Sequence, residues 1–191
     1  MPRLLILVVA LFMSALPLHA GAGGDNGTDW RRHDEQRVLK LFDAQGKLIG
    51  RVASYGGYDG VFLTINDALV FAQITRLNTH FEGYDSAKFQ WSESFVFSYS
   101  NPTCSGSPII SPNTGPRPSI AMRTGADVTL LIAGDTDSSP VHVVAVFNGT
   151  QCTPPPFIGH VPPSTAPVPG FTAETSYPLT AHYPEPLTIS Y

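Results

Sequence analysis

Apolar residues along this chain recur every second position rather than every third or fourth. Val61, Leu63 and Ile65 alternate with Phe62, Thr64 and Asn66, the period of a strand with one buried face. Val38 to Phe42 and Lys47 to Ala53 flank Asp43-Ala44-Gln45-Gly46. An Asp at the first turn position and a Gly at the fourth predict a type I turn closed by a left-handed glycine, hence a hairpin. Asn66-Asp67 turns the next strand into Leu69 to Thr75, a second hairpin. Phe95, Phe97 and Tyr99 alternate with Ser94, Val96 and Ser98, placing three aromatics on one face. Ile120 with Met122, then Val128-Leu130-Ile132, then Val141-Val143-Ala145-Phe147 predict further strands, and Asn148-Gly149 is a turn signal. Only the stretch from Asp85 to Trp91 has room for a short helical turn. The pattern predicts a small all-β antiparallel fold, a sandwich in preference to a barrel.

The amino terminus follows a different pattern. Arg3 precedes the apolar run Leu4 to Leu16, Pro17 breaks it, and Ala20-Gly21-Ala22 supplies small residues in cleavage-site spacing. This is the layout of a signal peptide over residues 1–22, with Leu18-His19-Ala20 as a second cleavage option. The run is shorter than the roughly 20 residues a membrane-spanning helix needs. No cysteine lies near the cut, and no later stretch is apolar for long enough to span a bilayer. The expectation is an exported chain, secreted or periplasmic, with no transmembrane segment once matured.

Residues 23–36 are polar and glycine-led and predict a flexible leader, residues 37–152 the β domain. From residue 153 the composition shifts, with 10 of the 18 prolines in the last 39 residues. A proline-rich tail over 153–191 is expected, in polyproline or irregular conformation. Its Phe157, Phe171, Tyr177, Tyr183 and Tyr191 also permit docking on the β domain or on a partner, because disordered tails are poor in aromatics.

Charge and cysteine content narrow the function classes. Without Arg3 the chain holds 10 basic against 15 acidic residues, a net charge near −5, and no basic cluster. Nucleic acid and anionic membrane surfaces are therefore poor partners. Cys104 and Cys152 are the two cysteines. In an oxidising compartment they read as a disulfide, with free thiols or a metal site as alternatives. The closed loop of about 50 residues would contribute roughly 4 kcal/mol by loop entropy.

Catalytic signatures are sparse. The chain has no G-x-S-x-G, H-E-x-x-H, phosphate-loop or dinucleotide motif, and no cofactor is expected. His80, with Glu82 and Asp85 nearby, is the general-base candidate, although a surface loop histidine is the plainer reading. His142 falls on the strand face opposite Val141 and Val143, where exposure is expected. Asp135, Asp137 and Ser139 place oxygens at alternate positions, as calcium loops do, but a polar hairpin tip explains them equally. Asn26-Gly27-Thr28 and Asn148-Gly149-Thr150 match the N-glycosylation sequon. Trp30, Trp91 and the tyrosines offer aromatic faces of the kind that stack on sugars, though core positions are commoner.

Two segments together resemble a group of small exported bacterial proteins of unknown function. Leu41-Phe42-Asp43-Ala44-Gln45-Gly46-Lys47-Leu48-Ile49-Gly50 is similar to their V-D-A-N-G-K-x-V-G opening. Phe95 to Tyr99 followed by Cys104-Ser105-Gly106-Ser107-Pro108-Ile109 is similar to a strand that runs into a C-S-G segment, with Cys152 as the closing cysteine. The resemblance spans roughly residues 38–152 and implies an exported β domain with a disulfide, without implying an activity. The leading expectation is a non-catalytic binding or structural module for an unidentified extracellular or periplasmic partner. A glycan hydrolase using two of Asp59, Glu82, Asp85 and Glu93 is the alternative. An inhibitor or peptide-binding module is a third.

Overall fold

The computed structural model of the protein describes residues 38–80, 83–155 and 166–191. Residues 1–37, on which the signal peptide and leader are expected, Phe81, Glu82 and residues 156–165 lie outside the described residues. Among those described, fourteen strands and one short helix are formed, and every strand pairing is antiparallel.

Both expected hairpins form for local reasons. β1 (Lys40–Phe42) turns into β2 (Leu48–Tyr55) through Asp43, whose Oδ1 accepts the backbone N–H groups of Gln45 and Lys47 at 2.9 Å each. Gly46 closes that turn at φ +78°. β3 (Tyr58–Ile65) turns into β4 (Ala68–His80) through Asn66 and Asp67, both left-handed at φ 47° and 64° as a type I′ turn requires. β5 (Gly83–Trp91) is a strand throughout, so no helical turn lies between Asp85 and Trp91. Trp91 ends it with its side chain wholly buried.

The sandwich expected from the alternation is corrected by the pairing. Six strands close into a barrel in the order β1-β14-β5-β4-β3-β2. Closure depends on β14 (Leu187–Ser190), which inserts between β1 and β5 with Leu41 opposite Ile189 and Leu187 opposite Phe89. Register shifts in β4 around Asn78 and in β1 at Leu41/Phe42 bend the strands as a closed sheet requires. Without β14 both β1 and β5 would present open edges, and closure removes them. One glycine is needed for close approach. A Cβ on Gly60 would overlap the Ala72 carbonyl oxygen and lie 2.7 Å from Phe71 Cζ, so the Phe71 ring covers the space beside the missing side chain.

The last residues are therefore not a tail apart from the β domain. After β6 (Phe97–Tyr99), β7 (Ser119–Thr124) pairs with β8 (Asp127–Ala133), and β13 (Ala173–Pro178) adds to the other edge of β8. Helix α1 (Leu179–His182) follows and buries Leu179. The inner face of this sheet, through Ala121, Val128, Leu130 and Ile132, joins Leu41, Val61, Leu63, Val70 and Trp91 of the barrel in one core. Its outer face belongs to a second core with Phe97, Tyr99 and Ile110. Hence β8 packs on both sides, with its inner face buried and Leu131 on its outer face half-buried. The run from Val141 to Phe147 is broken into β9 (Ser139–Val141), paired with β12 (Val168–Gly170), and β10 (Ala145–Phe147), paired with β6 and β11 (Cys152–Thr153).

Cys104 and Cys152 form the expected disulfide, with Cα atoms 5.8 Å apart. It ties the loop after β6 to β11. Phe171 docks on the domain by pairing its backbone with Ile110, and Tyr183 accepts the Trp91 indole N–H on its carbonyl at 3.1 Å. No helix among the described residues is long and apolar enough to cross a membrane.

Candidate functional site

The most distinctive surface lies on the link from β5 to β6. Its chain is held at alternate residues: Ser92 N–H donates to the Gln73 carbonyl on β4, and Ser94 N–H to the Ala121 carbonyl on β7. Glu93 and Phe95, at the intervening positions, are left in solvent. Phe95 is 84 % exposed and its neighbour Val96 54 %. The strand expected to run from Phe95 begins only at Phe97, so Phe95 leaves the aromatic face that Phe97 and Tyr99 bury.

A cleft opens on each side of Phe95. The larger, about 430 Å³, has Phe97, Tyr99, Met122 and Phe147 among its lining, with Glu93 and Asn148 as polar members. The smaller, about 270 Å³, is bounded by Tyr55, Tyr58, Gln73, Glu93 and Asn113. Concave apolar surface with a few polar groups is the ordinary character of a ligand site. Tyr99 is only 4 % exposed, and burial raises the pKa of its phenol.

The larger cleft is also lined by Arg123, which is ion-paired with Glu185. Arg123 donates to both carboxylate oxygens of Glu185, at 3.1 and 2.8 Å, and to the Trp91 carbonyl at 2.9 Å. Glu185 in turn accepts the Trp91 backbone N–H at 2.6 Å. The Glu185 hydrogen bonds hold the Arg123 guanidinium above its usual basicity, burial opposes this, and Glu93 adds a smaller attraction. The Glu185 carboxylate accepts three hydrogen bonds from Arg123 and Trp91, whereas the buried Arg123 Nε has no partner among the described residues.

The residues singled out in the sequence are dispersed. His80 is the last residue of β4, opposite Gly83. Asp85 accepts the backbone N–H groups of Ala87 and Lys88, and these bonds, the Ala87 one foremost, lower its pKa. Asp59 accepts the Ser54 hydroxyl across the β2–β3 hairpin at 2.6 Å. Of the acids considered for hydrolysis, Glu93 alone among those described lines the clefts beside Phe95. Asp135 is paired with Arg117 at 2.9 Å, and Ser139 opens β9. His142 is exposed, but in the gap between β9 and β10 and not within the strand expected there. Trp91 is core, which removes it as a sugar-stacking face, and Trp30 lies outside the described residues. Asn148 holds its own turn by accepting the Thr150 and Gln151 N–H groups. The site residues that sequence reasoning missed, Tyr99, Met122 and Phe147, look like ordinary core positions in the alternation. Only Phe95 carried a signal, an aromatic at the start of a polar-flanked strand.

No family model, curated protein or solved structure matches the chain.

Proposed function

We propose that the protein is an exported, non-catalytic binding module that engages its partner through the Phe95 face. One observation carries the reading: a nearly fully exposed phenylalanine sits on a backbone pinned at Ser92 and Ser94, between two clefts. Phe95 and its exposed neighbour Val96 present contiguous apolar surface between the clefts, which burial in a partner would turn into an energetic anchor. The signal-peptide pattern at residues 1–22 and the disulfide support the exported setting. Against hydrolysis stand the local hydrogen bonds that occupy Asp59 and Asp85.

The test compares the purified chain with its Phe95→Ser variant on arrays of soluble glycans and peptides. The substitution should alter stability by less than about 0.5 kcal/mol. It should weaken capture of whichever ligand the parent retains by about 30-fold, the equivalent of a 2 kcal/mol hot spot. Equal capture by both proteins, or release of cleavage products from the ligand, would overturn the reading.

A further inference from the structure

We infer that the smaller cleft beside Phe95 is a subsite for a neutral sugar ring of a glycan chain. The inference rests on the binding-module reading of the Phe95 face and names its ligand class.

Two tyrosines make the platform. Gly56 and Gly57, at φ +60° and +86°, form the two-residue turn between β2 and β3 and set Tyr55 directly opposite Tyr58. Residues paired across a hairpin share a face, so both side chains stand on one side of the ribbon. Tyr55 is braced by Phe71, with ring centroids 5.5 Å apart, and by Phe62, edge to face at 6.2 Å. Tyr58 is 59 % exposed. Phe95 bounds the same cleft from the β5–β6 link, on a backbone pinned at Ser92 and Ser94.

The polar part of the lining decides what stacks there. Gln73 and Asn113 bring amides, which both donate and accept, and Glu93 brings a carboxylate that only accepts. A pyranose presents both complements at once. The C–H groups of one ring face pack on the negative face of an aromatic ring, and the hydroxyls around its rim donate to Glu93 and pair with the amides. A proline-rich peptide also suits an aromatic groove, but a prolyl stretch has no N–H and offers the carboxylate no donor. Among the described residues no lysine, arginine or histidine lines this cleft, so an acidic sugar would meet Glu93 with no cation in the same lining. A neutral glycan is the class that satisfies every group.

Calorimetry of the disulfide-bonded chain with cellohexaose, mannohexaose and chitohexaose tests this. Hexagalacturonate serves as an acidic glycan of the same length, and decaproline as the peptide probe. At least one neutral hexasaccharide should bind with a Kd below about 1 mM, and hexagalacturonate at least about tenfold more weakly than that. Tyr58→Ala should weaken the glycan binding at least about tenfold, whereas Tyr84→Ala, an exposed tyrosine on β5 outside both clefts, should leave it unchanged. Failure of all three neutral hexasaccharides to bind, or binding that Tyr58→Ala leaves intact, would overturn the inference. Decaproline bound in their place, and lost in Phe95→Ser, would overturn it while leaving the Phe95 reading standing. Glycan binding lost in Tyr58→Ala but kept in Phe95→Ser would overturn Phe95 as the anchor and leave the sugar site standing.

Discussion

Replacing Glu185 by Ala should destabilise the protein far more than an exposed glutamate would. Glu185 precedes β14, Arg123 lies on β7 and Trp91 ends β5, so one carboxylate joins the barrel to the sheet packed on it. The substitution removes three hydrogen bonds to that carboxylate, from Arg123 Nη1, Arg123 Nη2 and the Trp91 amide. It leaves a guanidinium that stays charged at any attainable pH, with only 16 % of its side chain exposed. Removing one member of a buried pair costs about 3–5 kcal/mol. Because some water reaches both side chains, the lower end applies, about 3 kcal/mol. For a domain of this size that is a fall in Tm of roughly 6–12 °C. Thermal and urea denaturation of Glu185→Ala, Arg123→Ala and the double variant measure it, and the cycle should return a coupling above about 1 kcal/mol. A loss below about 1 kcal/mol for Glu185→Ala, the range of exposed pairs, would refute the reasoning.

Other perturbations probe separate parts of the fold. Cys104→Ser with Cys152→Ser opens a cross-link of sequence separation 48 and should cost about 4 kcal/mol by loop entropy, visible as a lower Tm than the oxidised parent. Ending the chain after Tyr183 deletes β14 and should abolish the cooperative unfolding transition, since β1 and β5 lose their shared neighbour; a native near-ultraviolet dichroism spectrum in that variant would refute barrel closure by β14. The Tyr177 phenol is pushed up to about 12 by burial and by Tyr183. With the folded value above the unfolded one, its contribution is fully present below about pH 10 and is lost as pH rises towards 12. Spectrophotometric titration should show a late-ionising tyrosine that disappears in Tyr177→Phe. Asp67→Gly should raise stability by a few tenths of a kcal/mol to about 1, because position 67 is left-handed in a type I′ turn; a lower Tm would count against that turn assignment.

Local structure was legible in the residues themselves. The Asp43–Gly46 and Asn66-Asp67 turns are set by interactions reaching only a few positions, and the alternation of β3 and β8 follows from which face each side chain must bury. The pairing of Cys104 with Cys152 was readable because only one intramolecular partner exists for each. Tertiary structure alone decided the rest. Proline-rich composition suggested a tail, yet β12, β13 and β14 form because their partners, β9, β8, β1 and β5, offer edges no local pattern announces. Whether a two-faced alternation closes as a barrel or stacks as a sandwich depends on which edges meet, and Leu41 meets Ile189 from the far end of the chain. The Phe95 face has the same origin. Its exposure follows from hydrogen bonds that Ser92 and Ser94 make to β4 and β7, and its clefts from aromatics that periodicity reads simply as core.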